Sequence, residues 1–130
     1  MSSRKYKILS IVGARPNFIK VAPVGKALAA AGCFDEILVH TGQHYTPTLS
    51  DKLFQELEIP TPKYNLEIGS GRQAWQLGTM IAGIDGVIEQ EDPDAVIVFG
   101  DTNSTAAGAI AAAKNNIPVA HVEAGLREFN

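Results

Sequence analysis

The chain has 130 residues, of which 45% are apolar and 19% charged, with a formal net charge of −3. This is the size and balance of one ordinary globular domain; no run of about 18 apolar residues could span a membrane, and the scattered Lys and Arg form no basic stripe for nucleic acid. Cys33 is the single cysteine, which excludes an intrachain disulfide, and Met1 to Lys5 lead straight into a short strand-like run rather than the longer apolar core of a signal peptide, so a cytoplasmic location is expected.

Lys7 to Val12 read as a first buried strand, broken at Gly13. Pro16 suits the first turn of a helix, and Val21, Val24, Leu28 and Ala31 recur at helical spacing. Pro23 is expected to weaken or kink that helix, and Gly32 to end it. Ile37-Leu38-Val39 is a second strand, and Leu49, Leu53 and Leu57 mark a short helix. Tyr64 to Ile68 read as a weak third strand at a sheet edge, because Pro60 and Pro62 precede them.

Leu77, Met80, Ile81, Ile84 and Ile88 give the clearest amphipathic helix, closed by Pro93-Asp94. Ala95 to Phe99 form a wholly apolar strand, the pattern of a parallel sheet covered on both faces. Ala106 to Ala113 read as a helix of small residues that suits close packing on the sheet, and Pro118 to Val122 as the last strand. Strands alternating with helices predict an α/β fold with a five-stranded parallel sheet. No helix follows the last strand, so the final βα unit is expected to be incomplete.

Ligands of open parallel sheets bind at the carboxyl ends of the strands, so the residues after each strand carry the functional reading. They are Gly13-Ala14-Arg15-Pro16-Asn17, Thr41-Gly42-Gln43-His44, Gly100-Asp101-Thr102-Asn103-Ser104 and Glu123-Ala124-Gly125-Leu126-Arg127. Turn chemistry accounts for the Gly, Asn and Thr, but not for Arg15, His44, Asp101 and Glu123 on one rim. A helix N-terminus with Arg15 and Lys20 nearby favours an anion, although both also read as solvated surface charges. The Gly13 turn is neither the dinucleotide fingerprint nor a P-loop. Asp101 and Glu123 can divide acid and base roles if their surroundings separate their pKa values; Asp101 also reads as a helix-capping acid. His121 within the last strand reads as a hydrogen-bonded core histidine, His40 is given no role, and Trp75 reads as core or interface. Cys33 has no activating neighbours. No His, Cys and Asp cluster has metal spacing, so neither metal nor cofactor is expected.

Four segments resemble one family in order. Gly13 to Lys20 is similar to the G-T-R-P-E-x-I-K opening of non-hydrolysing UDP-N-acetylglucosamine 2-epimerases, Thr41 to His44 to their T-G-Q-H loop, Pro93 to Thr102 to P-D-x-V-x-V-x-G-D-T, and His121 to Arg127 to H-V-E-A-G-L-R. The resemblance implies a Rossmann-like parallel sheet with helices on both faces, the first half of a GT-B type two-domain fold. Residues 1–130 would then be an incomplete N-terminal domain, with the C-terminal domain outside this chain. It implies a UDP-sugar substrate, C2 epimerisation by elimination and re-addition of UDP, cytoplasmic homodimers and a role in cell-envelope polysaccharide synthesis. Asp101 and Glu123 match catalytic acids; Arg15, Lys20, His44 and Arg127 match substrate-binding positions; Gln43, His44 and Arg72 match contacts to a second, activating nucleotide sugar. Ala14 and Asn17 depart from the family's Thr and Glu. A third catalytic glutamate and the catalytic histidine of the second domain match no residue here, so the isolated chain is expected to be inactive.

Overall fold

The computed structural model describes residues 5–13, 15–42, 55–56, 59, 62–100 and 102–122, with the backbone alone for 15–19. In chain order the elements are β1 (Tyr6–Val12), α1 (Arg15–Ala31), β2 (Phe34–His40), β3 (Tyr64–Asn65), α2 (Gln73–Glu91), β4 (Ala95–Phe99), α3 (Asn103–Lys114) and β5 (Val119–Val122). The strands make one five-stranded sheet in the order β3-β2-β1-β4-β5, and every pair is parallel. The predicted helix around Leu49, Leu53 and Leu57 lies outside the described residues, apart from a helical Gln55-Glu56.

Strand side chains alternate between faces, and here both faces are buried. Leu9, Ile11, Ile37, Val39, Val96 and Val98 pack under α2 and α3, against Met80, Ile84, Val87, Ile88, Ala107, Ala111 and Ala112. Ile8, Val12, Leu38, Ile97 and Phe99 point the other way, toward Val21, Val24 and Leu28 of α1. The wholly apolar reading of β4 follows directly from this double cover. The small residues of α3 have the expected purpose: a Cβ on Gly108 would come within 2.7 Å of Val98 Cγ1, so the helix lies close on the sheet. Ser10 is the exception inside β1; fully buried, it donates to Glu36 Oε2 at 2.6 Å, which satisfies both polar groups under α1.

Several details differ from expectation. Helix α1 continues through Pro23 to Ala31, although its end at Gly32, whose φ of +77° suits glycine, is as expected. The third strand is two residues, not five, because Glu67 adopts φ +56°; it does lie at the sheet edge. His121 is exposed in this chain rather than buried, on the last strand of the described sheet, and it is hydrogen-bonded as expected. Trp75 is 52% exposed and no part of the core, because it lies on the outward face of α2, opposite Met80 and Ile84. No helix among the described residues is long and apolar enough to cross a membrane.

Candidate functional site

The strand order reverses between β1 and β4: the chain builds β2 and β3 on one side of β1, then β4 and β5 on the other. Such a reversal opens a crevice at the carboxyl ends of the two central strands, where these sheets bind ligands. Gly13 follows β1, and Gly100, with φ +77°, follows β4, so small residues flank the crevice on both sides.

Buried contacts gather the four sequence motifs there. A Cβ on Gly13 would overlap Ser104 Oγ and come within 2.5 Å of Thr41 Oγ1. Those two hydroxyls hydrogen-bond to each other at 2.8 Å, and the Thr41 amide donates to Val12 O at 2.9 Å. The first three motifs therefore meet at one buried point that has room only for glycine. The fourth joins through Gly100, whose amide donates to Val122 O at 2.8 Å and whose carbonyl is hydrogen-bonded by the His121 ring. His121 thus ties β5 to the turn after β4, in place of the core role read from its position.

The start of α3 is fixed twice over. Thr102 is its N-cap residue, its amide donating to Thr105 Oγ1 at 3.1 Å, while Thr105 donates to Phe99 O at 2.7 Å. The N-cap position thus belongs to Thr102, and Asp101 before it lies outside the described residues. Asn103 Nδ2 donates to Gln73 Oε1 at 2.6 Å and Gln76 Oε1 at 2.8 Å, and Gln76 Nε2 donates to Gly69 O at 2.9 Å. Arg72, exposed at the N-cap position of α2, adjoins Gln73 and so stands on the same rim.

Behind the second motif, His40 is 1% exposed. Its Nδ1 accepts from the Gly42 amide at 2.8 Å, and burial lowers its pKa to about 4, so the ring is neutral at neutral pH. Sequence gave no reason to single it out, because its role depends on an amide two residues on. Thr41, Ser104 and Gln76 were likewise missed as small or polar residues without distinctive spacing.

The predicted site residues divide as follows. Arg15 opens α1, directly after the β1 turn; Lys20 is in its second turn and partly exposed. Arg72 is placed as above. Asp101, Glu123, Gln43, His44 and Arg127 lie outside the described residues. Among the described residues no three His, Cys, Asp or Glu side chains gather as metal ligands. A cavity of about 160 Å³ lined by Val21, Gly25, Lys26 and Glu36 lies beside α1 and the middle of β2, and does not mark the strand-end site.

A 3-2-1-4-5 parallel sheet with glycines at its switch point defines a Rossmann-like α/β domain. The profile of the UDP-N-acetylglucosamine 2-epimerase family matches residues 26–130, and the chain belongs to that family. It is 56% identical over 95% of its length to a UDP-N-acetylglucosamine 2-epimerase homolog of Methanococcus maripaludis, covering 34% of that protein. It is 51% identical, again over 95%, to the UDP-2,3-diacetamido-2,3-dideoxy-D-glucuronate 2-epimerase of Pseudomonas aeruginosa, covering 35% of it. The crystal structure of Methanocaldococcus jannaschii UDP-GlcNAc 2-epimerase in complex with UDP-GlcNAc and UDP superposes with a TM-score of 0.86 at 48% identity, over 95% of this chain and 34% of that one. The chain spans about a third of the length of the curated relatives it matches.

Proposed function

We propose that residues 1–130 are the incomplete N-terminal Rossmann-like domain of a two-domain UDP-sugar 2-epimerase, which interconverts UDP-N-acetylglucosamine and UDP-N-acetylmannosamine. The observation that carries this reading is the meeting of Gly13, Thr41 and Ser104 at the switch point, with Gly100 tied to His121 and Val122. Residues of four distant segments converge on one strand-end rim, and Asp101 and Glu123 directly follow Gly100 and Val122 in sequence.

The chemistry sets what the rim must do. In the elimination step a carboxylate takes the C2 proton, the C2–H electron pair becomes the C1–C2 double bond of a 2-acetamidoglucal, and the C1–O bond breaks to release UDP. Re-addition of UDP to C1, with proton delivery to the other face of C2, gives the epimer. The C2 proton is not acidic, so a positioned base contributes about 100- to 10,000-fold. Two-faced proton transfer calls for more than one acid, and Asp101 and Glu123 fill two of those roles. Departing UDP gathers negative charge, which Arg15, Lys20 and the N-terminus of α1 offset. His44 and Arg127 contribute to substrate binding; Gln43, His44 and Arg72 form the contact to a second nucleotide sugar. Neither metal nor cofactor enters these steps. The active form is a cytoplasmic homodimer, and the isolated chain is inactive because its partner domain carries the remaining groups.

The 51% identity to the Pseudomonas aeruginosa relative supports a second reading. The same C2 chemistry would then act on a UDP-sugar with a second acetamido group and a uronate carboxylate. The full-length polypeptide, assayed in heavy water with each UDP-sugar, separates these readings. Epimer formation with one deuterium at C2 is expected for the true substrate. UDP release with free N-acetylmannosamine instead would indicate a hydrolysing enzyme; binding without C2 exchange would indicate a non-catalytic nucleotide-sugar module.

A further inference from the structure

His40 ends β2 with its side chain buried on the α1 face, the side that also holds Leu38. Its Nδ1 accepts the Gly42 amide proton. An accepting ring nitrogen carries no hydrogen, so the neutral ring bears its proton on Nε2. Gly42 has φ +96°, a conformation that favours glycine. A Cβ there would lie 2.5 Å from the Ile68 amide nitrogen and 2.7 Å from Glu67 Cα, so residues 66–68 lie flat against it. The same strap donates from Leu66 N to His40 O and from Ile68 N to Thr41 O, both at 2.8 Å. Backbone atoms of residues 40–42 are thus held by the strap through their carbonyls and by the imidazole through the Gly42 amide. Without that ring nitrogen, the amide is left buried with no acceptor or has to turn.

We propose that His40 is a positioning residue of the rim: as an Nε2-protonated imidazole it fixes the Gly42 turn, and through that turn the shape of the β2 end where a nucleotide sugar would bind. The ligand half of this inference rests on the proposed function; the turn half does not. The bond from residue 40 to the amide of residue 42 has the spacing of an Asx-turn, in which an Asn side-chain oxygen accepts the amide two residues on. Asn at position 40 therefore restores the acceptor, whereas Phe fills the space without one.

The test compares wild type, His40→Asn and His40→Phe in the full-length polypeptide. In the wild type, long-range nitrogen–proton NMR of the imidazole is expected to find Nδ1 bare and Nε2 protonated. Hydrogen exchange of the Gly42 amide is expected to be slow in wild type and His40→Asn and about tenfold faster or more in His40→Phe. The KM for UDP-N-acetylglucosamine is expected to rise about tenfold in His40→Phe with a smaller change in kcat, and to stay within about twofold in His40→Asn. A proton on Nδ1 in the wild type overturns the proposal, even if neither variant folds. So does a His40→Phe protein with wild-type exchange and wild-type KM. Should the wild type itself neither bind nor turn over the nucleotide sugar, the tautomer and the exchange rates still decide the role of His40, and the substrate reading is what fails.

Discussion

At the amino ends of the strands, Glu91 is buried at the end of α2 and meets Lys63 Nζ at 2.8 Å and Lys7 Nζ at 3.3 Å, with the Tyr64 hydroxyl donating at 2.5 Å. Asp94 beside it binds the backbone of Lys7 in both directions, at 2.8 Å each. At the carboxyl ends, where Arg72 stands exposed, the described residues are joined by neutral hydrogen bonds such as those between Thr41 and Ser104 and from Asn103 to Gln76. One end neutralises its charges internally and so joins β1, β3 and α2. The other is held, among the described residues, by neutral hydrogen bonds. The charged cluster among the described residues thus lies at the amino ends of the strands, opposite the switch point where open parallel sheets bind ligands.

The largest effects are expected at the carboxyl end. In the full-length polypeptide, Asp101→Asn and Glu123→Gln are each expected to lower epimerisation by about 100-fold or more. Binding of UDP-N-acetylglucosamine is expected to stay within about tenfold, because an amide keeps the shape and much of the hydrogen bonding of the acid. Calorimetry with C2 deuterium exchange measures both; wild-type exchange in Glu123→Gln would leave Asp101 as the only assigned acid. Next comes Gly13→Ala, whose Cβ would meet Ser104 and Thr41. It is expected to cost about 1–3 kcal/mol in urea unfolding and to reduce nucleotide-sugar affinity as well.

At the amino end, Glu91→Gln is expected to lower stability by about 1 kcal/mol, the scale of a solvent-screened ion pair, and to leave the KM unchanged. The acid branch of the stability profile sharpens the contrast. The Lys63 and Tyr64 hydrogen bonds hold the Glu91 pKa at about 2, so the unfolded chain takes up a proton at higher pH than the folded one. The Glu91 contribution is complete above about pH 4.5 and is lost as pH falls toward 2. His40, held near 4 by burial, acts in the window above. Its neutral folded form loses stability as pH falls from about 6.5 to about 4, where only the unfolded chain is protonated. Denaturation between pH 7 and 2 is expected to separate the two, Glu91→Gln removing the lower step and His40→Asn the upper.

Much of this was legible because both sheet faces are buried and the helices keep one apolar stripe. Ala95 to Phe99 could be read as a double-covered strand from its unbroken apolar run, and α2 from Leu77, Met80, Ile84 and Ile88. Motifs after strands pointed to the rim because parallel sheets place those ends together. Distance relations across the chain were not legible. Nothing local marks Glu91 as the partner of Lys7 or Ser10 as the partner of Glu36, and the short-range bond from Gly42 to His40 depends on the turn between them. That His121 would be hydrogen-bonded was legible, but its partner, the Gly100 carbonyl, was not.

The central claim is that the nucleotide sugar binds at the β1/β4 switch point and not at the charged opposite end. Amide hydrogen exchange of the full-length polypeptide, with and without saturating UDP-N-acetylglucosamine, tests it most directly. The account predicts new protection at Gly13, Gly42, Gly100 and Thr102 to Ser104, with none at Lys7, Lys63, Tyr64 and Glu91. Protection confined to the Glu91 cluster, with the rim amides unchanged, would contradict it.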